Sequence, residues 1–275
     1  MNDGAAIQGD ARVLPTRMVE KVWGRETLPE PFAAPQDARI GEIWFEPPPE
    51  MAQLLVKYLF TSEKLSVQVH PSDANALAGE AGKEERWLVL AADPGASRAI
   101  GFNQAVTPEK MEAAARDGSI EDLLAWHPVS PGDIYFLPAG TVHAIGPGLV
   151  LVEVQQNSDT AFRLYDYGRP RELHLERALA VAEGSPYAAE YRSTIAERGS
   201  TLVESKRFRL DRVEGAPDAA VRASYTEGLL ALPLSGTLTL KPSGEVATPG
   251  ECLYASSLDM IDFGQAGVSL LTRSR

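Results

Sequence analysis

Pro131-Gly132-Asp133-Ile134-Tyr135-Phe136-Leu137-Pro138-Ala139 reads as a tight turn, a short apolar strand and a second turn. Pro249-Gly250-Glu251-Cys252-Leu253-Tyr254-Ala255-Ser256-Ser257 repeats that order of residue types. Each stretch has a further strand candidate before and after it, so the two mark two copies of one β unit. Glycine (23) and proline (20) punctuate the whole chain in the same manner. That pattern favours many short strands joined by turns, as in a sandwich or barrel. Working outward, the expected strands are Ile43–Phe45, Leu54–Phe60, Ser66–His70, Arg86–Ala91, Ile134–Leu137, Ala144–Ile145 and Leu149–Gln155.

Two helical islands interrupt the strands. Thr107–Trp126 opens with Thr-Pro-Glu, a helix start signal, and divides near Gly118 into two short helices. Glu172–Glu183 is amphipathic and stops at Gly184. The second β unit begins after this helix.

A chain of 275 residues, 44% of them hydrophobic, can bury one large core or two small ones. Its 26 basic and 38 acidic side chains leave a net charge of −12, which argues against a nucleic-acid or anionic-membrane partner. A small anion remains a possible ligand, because a basic pocket can exist inside an acidic protein. Cys252 is the single cysteine, which rules out an intrachain disulfide and suits a reducing compartment, so the expected location is the cytoplasm. Residues 1–12 lack an apolar signal core and read as a flexible leader, and no stretch has the length of a membrane-spanning helix.

The chemistry-bearing residues gather in the first half. All four histidines precede residue 175. Gln68 and His70 are two apart in an expected strand, which points both side chains to one face. His143 follows a Pro-Ala-Gly turn, and Glu84 and Glu85 precede the apolar run Trp87–Leu90. Two imidazoles, one carboxylate and an amide oxygen make a divalent-metal site with positions left open for water or substrate. Alternation does not decide between Glu84 and Glu85, since both faces of that strand are apolar. His127 and His174 have no ligand-like neighbours.

Lys64-Leu65-Ser66-Val67-Gln68-Val69-His70-Pro71 resembles the signature of type I phosphomannose isomerases, which are zinc-dependent cupins. Three later stretches resemble the same family in the same order: Gly82-Lys83-Glu84-Glu85-Arg86-Trp87, Pro138–Ala144 and Glu153–Arg169. The likeness covers roughly residues 20–180, lacks the long helical insertion of the larger members and is closest to the short bacterial form. It implies a mainly β fold of two cupin-like jelly-roll β-barrels with short helical insertions. The catalytic, metal-binding barrel would span 13–183 and a second, metal-free barrel 184–275.

The resemblance also implies one zinc per chain, held by Gln68, His70, Glu85 and His143. The implied reaction moves a proton between C1 and C2 of mannose 6-phosphate and fructose 6-phosphate through an enediol. Lys57 lies in an apolar strand where an unpaired ammonium is costly, and it reads equally as a functional group or an outward-facing edge lysine. Lys83, two residues before Glu85, could shuttle a proton or hold a substrate oxygen. Lys83 and Glu153 are the candidate bases. Arg163 is the cation expected to face the enediolate, its planar fork always charged. Ser66 and Arg169 fit the family's phosphate contacts, while Lys64 reads as surface charge. The competing functions are a non-catalytic metal-bound cupin that binds sugars and an iron-dependent cupin dioxygenase. The basic residues around the site favour the isomerase, because oxygen chemistry needs no phosphate anchor.

Overall fold

Side-chain alternation builds the sheets that carry the histidines. In Val67–Val69 the two valines face one way and Gln68 the other. Val67 and Val69 pack with Phe162, Leu164 and Ala144 against helical residues Met111, Ala114, Ala115 and Ile120. The opposite face meets a second apolar cluster containing Ile100, Ile145, Trp87, Tyr135, Leu151 and Leu59. These residues come from two sheets, so the second cluster is the core between them.

The structure, a computed structural model, describes residues 11–195 and 200–275. Among these, 18–44 and 55–195 form one unit and 11–17, 45–54 and 200–275 form another. The first unit holds a five-stranded sheet in the order Phe162–Tyr165, Val67–Val69, His143–Ile145, Ser97–Phe102, Leu124–Pro128. It also contains most of a seven-stranded sheet. That order is Arg192–Thr194, Asp133–Leu137, Glu85–Ala92, Leu149–Gln156, Leu54–Phe60, Ile40–Phe45, Thr16–Arg25. The fold is mainly β, as the sequence implied.

The helical island differs from expectation at its end. Helix Pro108–Asp117 is capped by the Thr107 hydroxyl, which accepts from the Lys110 N–H, and is closed by Gly118 at φ +88°. The next helix, Ile120–Leu123, is shorter than expected. Leu124–Pro128 is a strand instead, because it pairs with Ser97–Phe102, Arg98 lying opposite His127 and Ala99 opposite Trp126. The later helix spans Leu175–Val181.

The second unit holds a six-stranded sheet in the order Ala11–Val13, Leu253–Ala255, Leu229–Pro233, Val268–Ser274, Phe208–Glu214, Thr201–Glu204. A three-stranded sheet accompanies it, with Leu238–Leu240 between Val246–Ala247 and Ile261–Asp262. The two repeated Pro-Gly turns correspond in conformation. Gly132 and Gly250 sit at φ +89° and +95°, a region glycine enters without the Cβ penalty, and strands Asp133–Leu137 and Leu253–Ala255 follow.

The unit boundaries differ from those expected. Residues 1–10 of the expected leader lie outside the described residues, but Ala11 and Arg12 pair with Ala255 and Tyr254. Residues 184–195 stay with the first unit, because Pro186 bridges Gly101 and Arg192–Thr194 pairs with Asp133–Tyr135. Residues 45–54 belong with the C-terminal strands.

Candidate metal centre and active site

Register brings the distant histidines together. His143 lies opposite Gln68, and on the seven-stranded sheet Glu85 lies opposite both Gln155 and Leu137. Glu85, Trp87 and Val89 share one strand face with Leu151, Glu153 and Gln155. Val89 and Leu151 lie in the core between the sheets, so Glu85 and Glu153 face inward as well.

His70, Glu85 and His143 are buried, with one ligand atom from each lying within 4.8 Å of the others. Glu85 Oε2 stands 3.5 Å from His70 Nε2, and Glu85 Oε1 stands 3.5 Å from His143 Nε2. Tetrahedral ligands about 2.1 Å from a zinc ion lie about 3.4 Å from each other, so these separations suit one. The imidazoles are oriented from behind. Nδ1–H of His70 donates to the Thr160 carbonyl at 2.8 Å, and Nδ1–H of His143 to the Thr141 carbonyl at 2.9 Å. Both Nε2 lone pairs are thereby left facing Glu85, an arrangement common to metal-bound histidines. Burial holds both imidazoles below their usual pKa, which keeps them neutral, as ligation requires.

Gln68 lies at the edge of this cluster. Its amide nitrogen lies 3.3 Å from His143 Nε2, and Ser66 Oγ donates to its Oε1 at 3.2 Å. Turning the amide over would present Oε1 to the cluster, and Ser66 Oγ could then accept from the amide nitrogen. The buried Glu85 oxygens accept no well-formed hydrogen bond, although the Lys83 ammonium lies 2.9 Å from Oε2. A carboxylate in that state suits a cation, and these donors fit a divalent metal.

Beside the cluster runs a buried line of alternating charge. Lys83 Nζ lies 3.5 Å from Glu153 Oε1, which lies 3.1 Å from Lys57 Nζ. Lys57 is 2.9 Å from Glu42 Oε1, and Glu42 Oε2 is 3.1 Å from Lys21 Nζ and also accepts from the Trp44 indole. Lys57 is therefore a buried, paired lysine, and its reading as an outward-facing edge lysine is corrected: it lies two residues from core residue Leu59 and shares its face. Burial alone would depress the Lys57 ammonium, but Glu153 and Glu42 outweigh it and raise its pKa. Glu42 is pushed up by burial and pulled down further by Lys57 and Lys21, to about 2. Glu153 is raised by burial and by the Glu85 carboxylate against the pull of Lys57 and Lys83, to about 6.

The remaining expected residues are placed less directly. Arg163 pairs with Gln68 across the sheet. Its guanidinium donates to the Glu172 carbonyl at 2.8 Å and approaches His174 Nε2 at 3.4 Å, beside a cavity of about 560 Å³ that Thr160 also lines. Arg169 is held by Glu63 at 2.8 Å and Asp166 at 3.2 Å. Glu84 lies outside the cluster. Lys64 pairs with Glu121.

Glu42 and Gln155 are site residues that motif reading left without a role. The signal for Glu42 was present: a lysine inside the apolar run Leu54–Phe60 requires a buried carboxylate. Gln155 donates through Nε2 to the Gln156 and Ser158 carbonyls, and its buried Oε1 accepts nothing.

No family model matches the chain. A mannose-6-phosphate isomerase of Bacillus subtilis is 44% identical over 139 residues, which cover 47% of this chain and 44% of that protein. The crystal structure of the mannose 6-phosphate isomerase from Bacillus subtilis superposes with a TM-score of 0.78 at 25% identity, covering 96% of this chain and 100% of the other. The chain resembles mannose-6-phosphate isomerases in sequence and in fold. The matched sequence spans less than half the length of the curated relative. A zinc-bound mannose 6-phosphate isomerase shares the fold, with a TM-score of 0.69 at 15% identity over 97% of this chain and 100% of the other.

Proposed function

We propose that the chain is a metal-dependent aldose–ketose isomerase that interconverts mannose 6-phosphate and fructose 6-phosphate through an enediol. The observation that carries this reading is the buried His70–Glu85–His143 cluster with a paired but titratable carboxylate, Glu153, beside it. The metal would be one zinc ion held by Gln68, His70, Glu85 and His143. When bound there it supplies Lewis acidity toward a carbonyl and its neighbouring hydroxyl.

The chain's own residues would do the rest. Glu153, near its midpoint of protonation at about pH 6, is the group best suited to exchange a proton with C1 or C2. Lys83, 3.5 Å from it, would hold a substrate oxygen or relay that proton. Lys57 keeps Glu153 from rising further and so sets the base's strength. Arg163 would donate to the enediolate oxygens, supported by its strand position beside Gln68. Ser66 and Arg169 would anchor the phosphate. The partner is a small sugar phosphate in the cytoplasm, and no helix among the described residues is long and apolar enough to cross a membrane.

A metal-bound sugar-binding module has no use for a buried carboxylate poised to titrate, and a dioxygenase does not need two ammonium groups beside it. Incubating zinc-loaded and, in parallel, iron(II)-loaded protein with mannose 6-phosphate, and following both fructose 6-phosphate and oxygen uptake, separates the three. Isomerisation without oxygen uptake is expected. Oxygen consumption or binding without conversion would replace this reading with one of the others.

A further inference from the structure

Away from the histidine–glutamate cluster, the first unit contains a cavity of about 590 Å³. Arg98, His127 and Arg192 line it, together with Ile100, Asn103 and Tyr187. Strand pairing assembles two of the three basic groups, with Arg98 directly opposite His127. The third, Arg192, begins the strand that pairs with Tyr135.

Arg98 is unusual for an arginine in a chain with twelve surplus acidic groups. It is only 3% exposed, and among the described residues it has no carboxylate within ion-pair distance. Its guanidinium stacks over the Tyr135 ring at 4.5 Å and reaches the Ala125 carbonyl at 3.5 Å, leaving the buried Nε without a partner. A buried guanidinium held by a tyrosine and a carbonyl but by no carboxylate is expensive unless an anion meets it. The nearest acid in the group is Asp133, whose Oδ1 lies 3.9 Å from Arg192 while its Oδ2 accepts from the Tyr135 hydroxyl and the Ser130 N–H. One carboxylate, already shared, does not balance Arg98 and Arg192. Burial and the positive charge of Arg98 and Arg192 lower the pKa of His127, which agrees with a positive potential in the cavity.

We propose that this cavity is a second anion site, distinct from the metal centre, that takes small phosphate monoesters. Guanidinium forks from Arg98 and Arg192 match phosphate oxygens, and His127 supplies a third donor when it is protonated or turned toward the ligand. Ile100 and the Tyr187 ring would pack against the organic part. The site stands on its own residues and holds whether or not the metal centre performs the proposed reaction.

The test uses zinc-loaded full chain and inorganic phosphate as the probe. There are four histidines, so the His127 ring resonances can be assigned with His127→Gln and followed by NMR at constant pH and ionic strength. The expected result is a saturable shift of His127 at low millimolar phosphate, absent with chloride. Arg192→Gln, at a half-exposed position, should weaken this binding by roughly fivefold or more, as expected for loss of one charge-assisted phosphate contact. Arg98→Met should abolish it, and if that variant does not fold, Arg192→Gln decides alone. A His127 response no larger than that to chloride would overturn the site. So would phosphate shifts confined to His70 and His143, or unchanged affinity in Arg192→Gln.

Discussion

Glu153 sits between two ammonium groups and still titrates at about 6, because it is buried and shares its surroundings with Glu85. If its carboxylate accepts the substrate proton, turnover should fall as pH drops through about 6 and recover above it. Glu153→Gln should lower kcat by about a hundredfold or more with metal content unchanged; retention of the acid limb of the pH profile in that variant would assign the limb to another group. The same value has a sign for stability. A carboxylate raised above its ordinary 4.5 binds its proton more tightly when folded, so Glu153 costs stability as pH rises from 4.5 to 6. Glu42, depressed to about 2, contributes stability above 4.5 that is lost as pH falls toward 2. Lys57 joins the two, and Lys57→Met would leave Glu42 with Lys21 and Glu153 with the more distant Lys83 as their remaining cations. Chemical denaturation should show a loss of about 3–5 kcal/mol, the usual result of breaking a buried pair from one side. Arg163→Lys keeps the charge but loses the fork, and kcat should drop about a hundredfold with little change in KM. A raised KM at normal kcat would instead mark Arg163 as a substrate anchor.

At the scale of elements, the strands bearing the site were legible because their apolar runs end at turns. Leu54–Phe60 was bounded in the sequence as it is in the fold, whereas the second helix was read too far, into Leu124–Trp126. That segment has helical composition and becomes a strand through pairing with Ser97–Phe102, a long-range contact that a local pattern does not contain. The choice of Glu85 over Glu84 depended on resemblance. Register places Glu85 on the inward face it shares with Trp87. One loop carries a strict steric demand. A Cβ on Gly82 would stand 2.4 Å from the Asp73 backbone nitrogen, and Gly82 N–H donates to Asp73 Oδ1 at 2.8 Å. Gly82→Ala must therefore move the chain just before Lys83 and Glu85. Zinc affinity and kcat should both fall, while helix Pro108–Asp117 keeps its far-UV signal; unchanged zinc affinity would show that the loop can yield without disturbing Glu85.

Across the whole chain, the described residues divide into two compact units, and the repeat of Pro-Gly turns carries no information on where the chain passes between them. Residues 11–17 and 45–54 join strands far away in sequence; the run Pro47-Pro48-Pro49 marks a break in the second segment but does not say which strands it joins. Chemistry is divided unevenly: His70, Glu85 and His143 are all in the unit formed by 18–44 and 55–195, and no histidine follows His174. In the proposed function, turnover of mannose 6-phosphate depends on a metal held by those three residues and Gln68. The most direct measurement is titration of zinc into chelator-stripped protein while following fructose 6-phosphate formation. Activity should begin near zero and rise to a plateau at one zinc per chain, with neither zinc uptake nor a rise in His70→Ala, whereas His174→Ala should still take up one zinc per chain. Full turnover before any zinc is added would contradict metal dependence.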